Sequence, residues 1–349
     1  MSSRARSFPP RKIADLDRQS ASNFLALLRD SINFPVTLIL GAGVSASAGL
    51  PPWNTLLKKI CTAFFYHWEY AIARRKASVE IPPREMSIVF FEKAFWSEDS
   101  IALSSAFTEQ DALLAAQQIR NCIRGTDWRY LLRKILYNYD VLGEYWIKES
   151  SLLQSLASYC AKSQAVRGVI SYNWDNLFER QLKEIGINVS PLWKSKQDYP
   201  QDTLPIYYPH GYLPLEGGPV TKIVLAESDY HQEATEIYSW ANLIQTQAFC
   251  NSVCIFIGIS MGDPNIRRLL EISTEIASVP DYAFLPTPLE KDHFRVMSEA
   301  LFDRDLHRLG VKTVRFPVDK ALEDPYSRLP ELIGLMTDNL DDKGAIWKE

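Results

Sequence analysis

Cysteine is sparse in this chain: Cys61, Cys122, Cys160, Cys250 and Cys254 are the five among 349 residues. They form no C-x-x-C pair and no ladder of metal-ligand spacing, so no metal is expected and a reducing compartment is the simplest setting. No apolar run reaches the roughly 18 residues that a bilayer crossing requires, and the N-terminus lacks the apolar segment of a secretory signal. No membrane association and a cytoplasmic location are therefore expected. An excess of positive charge is also missing. The formal net charge of −4 argues against a general nucleic-acid-binding surface, so no strong direct binding of that kind is expected. Internal repeats and low-complexity tracts are absent. What remains, 46% apolar and 23% charged residues, is the make-up of an ordinary soluble globular protein of one large or two ordinary domains.

The opening "MSSRARSFPPRK" carries four cations, no acid and a proline pair. Residues 1–20 therefore read as a flexible arm. "ASNFLALLRDS" (21–31) reads as a short helix, and "PVTLIL" (35–40) as a strand apolar on both faces, as parallel strands require. From Trp53 to about residue 165 the pattern is almost wholly helical, with Thr108 and Asp111 resembling a cap and Gly125 suiting a helix end. Alternation then resumes. "VRGVISYN", "LPIYYPHGY", "KIVLAE", "NSVCIFIGIS" and "VKTVRFP" read as strands separated by helices. This pattern implies an α/β fold, a Rossmann-like parallel sheet wound on both faces. The expected division is a Rossmann-like domain from 21–52 and 166–320, a helical module inserted at 53–165, and a C-terminal helix and tail at 321–349.

Behind the first strand, "LGAGVSASAGLPPW" opens a helix with Gly41-Ala42-Gly43. A strand-to-helix turn of this kind offers backbone N–H groups and a positive helix end to a phosphate, with Ala46 in the third position of G-x-G-x-x-G/A. The spacing alone is weak, because a tight turn without a ligand uses similar residues. Its usual companion is missing. A nucleotide-dependent dehydrogenase needs an acid about 20 residues on to hold a ribose, whereas "KKICTAFFYHW" (58–68) contains no carboxylate. Hydride transfer loses ground accordingly.

Three further strand ends carry polar residues that are costly to bury without a task or a partner. "ISYNWDN" supplies Asn173 and Asp175, "YYPHG" supplies His210, and "FIGISMGD" supplies Gly258, Ser260 and Asp263. Each has an ordinary alternative: Asn173 and Asp175 as helix caps, His210 as a structural histidine, "IGIS" as plain core. Together, in this order, they imply one crevice at the carboxyl ends of parallel strands.

This set resembles the sirtuin family: G-A-G-x-S (Gly41 to Ser45), G-[IL]-P (Gly49 to Pro51), N-x-D (Asn173, Asp175), H-G (His210, Gly211) and G-x-S (Gly258 to Ser260). The resemblance spans about residues 35–270 and extends through the last strand to about 317. Two departures stand out. Sirtuin deacylases carry a four-cysteine zinc module after H-G, but "LPLEGGPVTKIVLAESDYHQ" (213–232) has no cysteine, and the usual G-I-P-x-F-R becomes "GLPPWN" with Trp53 and Asn54. In those features, and in "SYNWDNLFE" and "FIGISMGDPNIRRLL", the chain is similar to sirtuin-like NAD-hydrolase domains of bacterial anti-phage defence systems.

That resemblance implies NAD as substrate and cleavage of its nicotinamide–ribose bond. It assigns Asn173 to orient the ribose or attacking water and His210 to act as general base, a role suited to a group that titrates near neutrality. Gly41, Ala42, Gly43 and Ser45 would line the pyrophosphate and ribose, Gly258 and Ser260 the adenosine side, and Asp175 would hold the amide or fix the loop. Trp53 would shield the bond, although packing under the helical module is an ordinary role for it. Unrestrained NAD loss is toxic, so a homo-oligomer and an activating partner, such as a DNA-translocating ATPase or a nucleic-acid-guided protein, are expected. Two rivals stay open: an NAD-dependent protein deacylase or ADP-ribosyl transferase, and a non-catalytic subunit that senses NAD or ADP-ribose.

Overall fold

The computed structural model describes residues 12–53, 55–60, 117, 120–121, 125–137, 147–218, 221–225, 227–277, 279–287 and 292–341. The Thr108–Asp111 cap, Asn54 and the residues before Lys12 lie outside these. Seven strands form one parallel sheet: β1 (Val36–Leu40), β2 (Val166–Ser171), β3 (Val189–Leu192), β4 (Leu204–Tyr207), β5 (Val253–Ile257), β6 (Asp281–Pro286) and β7 (Val311–Phe316). Their order is β3-β4-β2-β1-β5-β6-β7. Ten helices are defined among the described residues: α1 (Arg18–Asn33), α2 (Ala42–Ser47), α3 (Gly125–Leu136), α4 (Ser151–Lys162), α5 (Leu177–Glu184), α6 (Glu227–Thr235), α7 (Trp240–Asn251), α8 (Pro264–Thr274), α9 (His293–Arg308) and α10 (Arg328–Asp341). The expected α/β class, a Rossmann-like sheet wound on both faces, is the class observed.

The central strands are buried throughout because helices cover both faces. In β1 and β5, Val36, Leu38, Leu40, Val253, Ile255 and Ile257 enter one core. Ile39, Cys254 and Phe256 point the other way into a second. This is the period of two expected for strands, hidden in sequence because both faces are apolar. The first core takes α1, α4, α5 and α10 through residues such as Phe24, Leu156, Leu182 and Leu332. The second takes α7, α8 and α9 through Phe249, Leu269 and Leu306. Leu56, Ile60, Leu132, Ile135 and Tyr137 of the inserted stretch join the first core.

Several elements differ from the sequence expectation. Helix α1 starts at Arg18 because Asp17 caps it, its carboxylate accepting the N–H groups of Gln19 and Ser20 at 2.9 Å. Gly125 is the first residue of α3, and residues 122–124, where the preceding helix was expected to close, lie outside the described ones. Of "KIVLAE", residues 222–225 form no strand: they are without regular secondary structure beside the β4 exit, where Val224 N–H donates to the His210 carbonyl at 2.8 Å. Strands β3 and β6 carry too weak a signal to anticipate. The first is a four-residue edge strand containing Pro191, tolerated where one side of the ladder is unpaired. The second opens on Asp281, a buried acid whose Oδ1 accepts the Cys254 N–H at 2.8 Å across the sheet.

Candidate functional site

The chain runs from β1 to β2 beside it, on to β3 at the edge and back to β4 between them, then crosses to β5 on the other side of β1. The reversal lies between β1 and β5, and the crevice outside the carboxyl ends of such neighbours is where open α/β sheets bind ligands. Here the two strand exits touch through their backbones. Gly41 N–H donates to the Ile257 carbonyl at 3.0 Å and Gly43 N–H to the Gly258 carbonyl at 2.9 Å. A Cβ at Gly43 would lie 2.8 Å from Gly258 Cα, and one at Gly258, whose φ is +67°, would lie 2.6 Å from Val44 N. Side chains are therefore excluded first by the neighbouring strand exit. Ala42 and Gly43 remain exposed on the crevice side of this contact, as does Ser260 beyond Gly258.

Asn173 leaves β2 toward the same turn. Its Nδ2 donates to the Gly41 carbonyl at 2.8 Å and to Ser45 Oγ at 2.7 Å. A carbonyl can only accept, which sets the amide with nitrogen toward Gly41; both N–H bonds are thereby used inside the protein, and Oδ1 is the atom left to face a ligand. Ser45 passes the chain on, donating to Asp175 Oδ2 at 2.5 Å. Asp175 Oδ1 accepts the Leu177 N–H at 3.0 Å, tying the network to the start of α5. Burial raises the Asp175 carboxyl above its ordinary range, partly offset by the donors Ser45 and Leu177. Asp175 thus both holds the first N–H of α5, ahead of the cap position at Asn176, and holds Ser45 in place. Asp263, another polar strand-end residue, caps α8 through the Asn265 and Ile266 N–H groups.

His210 follows β4, the strand beside β2, and is 6% exposed. The ring of Tyr172, the residue before Asn173, meets the imidazole edge-to-face at a centroid distance of 4.9 Å. Tyr172 is anchored in turn by its hydroxyl on Gln245, which is fully buried in α7. On another side stands Glu233 of α6, its Oε2 3.5 Å from His210 Nε2, with both side chains less than a tenth exposed. Trp53, half-buried, packs edge-to-face on Trp174 at 6.1 Å, and so lies beside the residue between Asn173 and Asp175. Tyr137, at the end of α3, donates to the Leu213 carbonyl at 2.8 Å and lies 3.2 Å from Asn176 Oδ1, joining the inserted stretch to the loops after β2 and β4.

Gly41, Gly43, Ser45, Asn173, Asp175 and Gly258 therefore form one contiguous hydrogen-bonded or touching group. Ala42 and Ser260 lie at the same strand exits, His210 joins through Tyr172, and Trp53 joins through Trp174. Glu233, Tyr172 and Tyr137 were not singled out from sequence. A buried acid in the helix after H-G, "ESDYHQEAT", was the available signal for Glu233, but its polar composition reads as solvated. Burial raises the described thiols above their ordinary value, Cys160 to about 12, Cys254 well above it and Cys250 in the same direction, which disfavours the thiolate form. Among the described residues, no group of three or more His, Cys, Asp or Glu side chains could hold a metal ion, and no helix is long and apolar enough to cross a membrane.

A family model described as a SIR2-like domain matches residues 167–302. The match supports a sirtuin-like domain there and includes Asn173, Asp175, His210, Glu233, Gly258 and Ser260. It begins after the glycine turn, so Gly41 to Ser45 join the domain through the contacts described above. No curated protein matches the chain.

Proposed function

We propose that this protein is an NAD hydrolase that cleaves the nicotinamide–ribose bond to release nicotinamide and ADP-ribose. SIR2-like domains bind NAD, and the match over 167–302 covers the polar strand ends after β2, β4 and β5. The observation that carries the reading is the relay Gly41–Asn173–Ser45–Asp175, which leaves one amide oxygen at a sheet switch point, with a buried histidine packed on the neighbouring Tyr172. This donor and acceptor set fits a dinucleotide. Gly43, whose N–H is held by the Gly258 carbonyl, leaves room without a side chain for the pyrophosphate to approach beside Ala42, and Ser260 offers a hydroxyl on the adenosine side.

As the bond to nicotinamide breaks, its electron pair leaves with the ring nitrogen and positive charge builds on the ribose. Asn173 Oδ1 would stabilise that charge and orient a water, and His210 would take the proton as the water oxygen bonds to the ribose carbon. Trp53 and Trp174 would keep bulk water from the bond. The chemistry calls for preorganised dipoles more than a strong nucleophile.

An enzyme that consumes NAD without restraint is toxic to its own cell, so the activity must be gated. The proposal extends to an anti-phage effector, cytoplasmic, held inactive until self-association or an activating protein partner releases it. The test is incubation of purified protein with NAD and chromatography of the products. Wild type is expected to yield nicotinamide and free ADP-ribose. Asn173→Ala and His210→Ala should each lower turnover on the order of 10²–10³-fold with the fold intact. Wild-type turnover by folded Asn173→Ala would end this assignment, and a modified protein or acyl-ADP-ribose product would redirect it to transfer.

A further inference from the structure

Glu233 is a buried carboxylate that the proposed chemistry has not used. It is 6% exposed, and its Oε2 makes no hydrogen bond among the described residues. Burying an ionised carboxylate without compensation is costly, so the sites that keep one supply a cation or a donor. The ring nitrogen Nε2 of His210 stands 3.5 Å from that oxygen.

The placement is built into the fold. Helix α6 is held near its start by Asp229, whose Oδ2 accepts the Leu225 N–H at 3.1 Å and Arg120 Nη1 at 2.6 Å. It is held at its end by Asn242, a buried residue of α7 whose Nδ2 donates to the carbonyls of Glu233 and Glu236 at 2.8 and 2.9 Å. Asn242 is itself fixed by Asn265 of α8 at 3.2 Å. The backbone carbonyl of Glu233 is thus a point of attachment, while its side chain turns toward the histidine. Tyr172 limits the tilt of the imidazole from another side.

We propose that Glu233 is a positioning residue for His210, accepting the Nε2 proton so that Nδ1 is the basic nitrogen and stabilising the imidazolium that forms when the proton arrives. An acceptor on one ring nitrogen fixes the tautomer at the other, and a carboxylate there adds charge stabilisation to orientation. The inference deepens the hydrolase reading and rests on it for its kinetic consequence, but the contact itself can be tested without turnover.

The chain has five histidines, so selective ¹⁵N-histidine labelling gives a readable spectrum, with the His210 signals identified by their loss in His210→Ala. Glu233→Gln preserves volume and removes the charge. The expected result is a change in the His210 ring-nitrogen pattern, from an Nε2–H form in wild type to a mixed one. In the same variant kcat for NAD should fall at least about tenfold with KM within about twofold, since an orienting partner acts through the general base. The Glu233→Gln/His210→Ala double variant should be no slower than His210→Ala alone. An unaltered His210 pattern overturns the proposal. So does, in an active protein, an unaltered kcat or a loss carried by KM alone. If wild type cleaves no NAD, the hydrolase reading fails and the spectrum alone decides whether Glu233 positions His210.

Discussion

Replacing Gly258 by alanine tests whether the contact between the β1 and β5 exits holds the site together. Two penalties combine at this position. The residue sits at φ +67°, where a side chain costs about 1–2 kcal/mol. Its Cβ would also meet Val44 N at 2.6 Å and the Gly43 backbone at 3.0 Å, and these are backbone atoms that cannot swing aside. Overpacking of that kind costs a further 1–3 kcal/mol or so, giving about 2–5 kcal/mol in total. Two control glycines separate the terms. Gly186 has φ +84° with nothing within 4 Å of where a Cβ would stand, so Gly186→Ala should cost only the conformational part, about 1–2 kcal/mol. Gly334, within α10 and also in open space, should become more stable by about 0.5–1 kcal/mol as alanine. Urea unfolding followed by circular dichroism at constant slope measures all three. The expected order of midpoints is Gly334→Ala above wild type, then Gly186→Ala, then Gly258→Ala. If Gly258→Ala is no less stable than Gly186→Ala, the backbone contact does not hold the two exits together and the reasoning fails.

Other perturbations probe the supports of the site. Ser45→Ala leaves Asp175 Oδ2 and one Asn173 N–H a partner short; a loss of about 1–3 kcal/mol is expected by denaturant titration. Arg120→Ala strips a cation from buried Asp229, the acid that anchors the start of α6; thermal unfolding should show a cost of about 2 kcal/mol. Asp281 provides a pH test, because burial holds its carboxyl well above the ordinary value of 3.8. A raised folded-state pKa means the neutral acid favours folding; that contribution is complete below the unfolded value and is lost as pH rises through the folded one. Asp281→Asn should therefore gain stability relative to wild type from about pH 4 upward, and parallel unfolding-versus-pH curves for the two proteins would refute this.

The polar residues that gather at the crevice were legible as sequence because their cost is local. A strand that ends in "SYNWD" or "YYPHG" places groups with strong hydrogen-bonding needs next to a core, whatever the rest of the chain does. For residues 53–165 the sequence offers only a helical period, and much of that stretch lies outside the described residues. That Tyr137 reaches Asn176 and Leu213 depends on packing between segments 39 and 76 residues apart, which no local period records. The C-terminal helix, readable only as a possible contact element, buries Leu332, Ile333 and Met336 in the first core. Its amphipathic face announces burial without naming the surface that covers it.

Alternation of apolar runs and helical periods determined by itself that this is a parallel α/β protein, because buried parallel strands and their crossover helices impose those patterns residue by residue. It also determined which side chains stand at strand ends. Tertiary structure decided what those side chains meet. Gly43 is small because Gly258 lies against it, Asn173 offers an oxygen because Gly41 and Ser45 take its nitrogen, and His210 faces the acid Glu233 because Asn242 and Arg120 pin the helix that carries it. Each of these is a contact across the fold, set by distance in space and not by spacing along the chain.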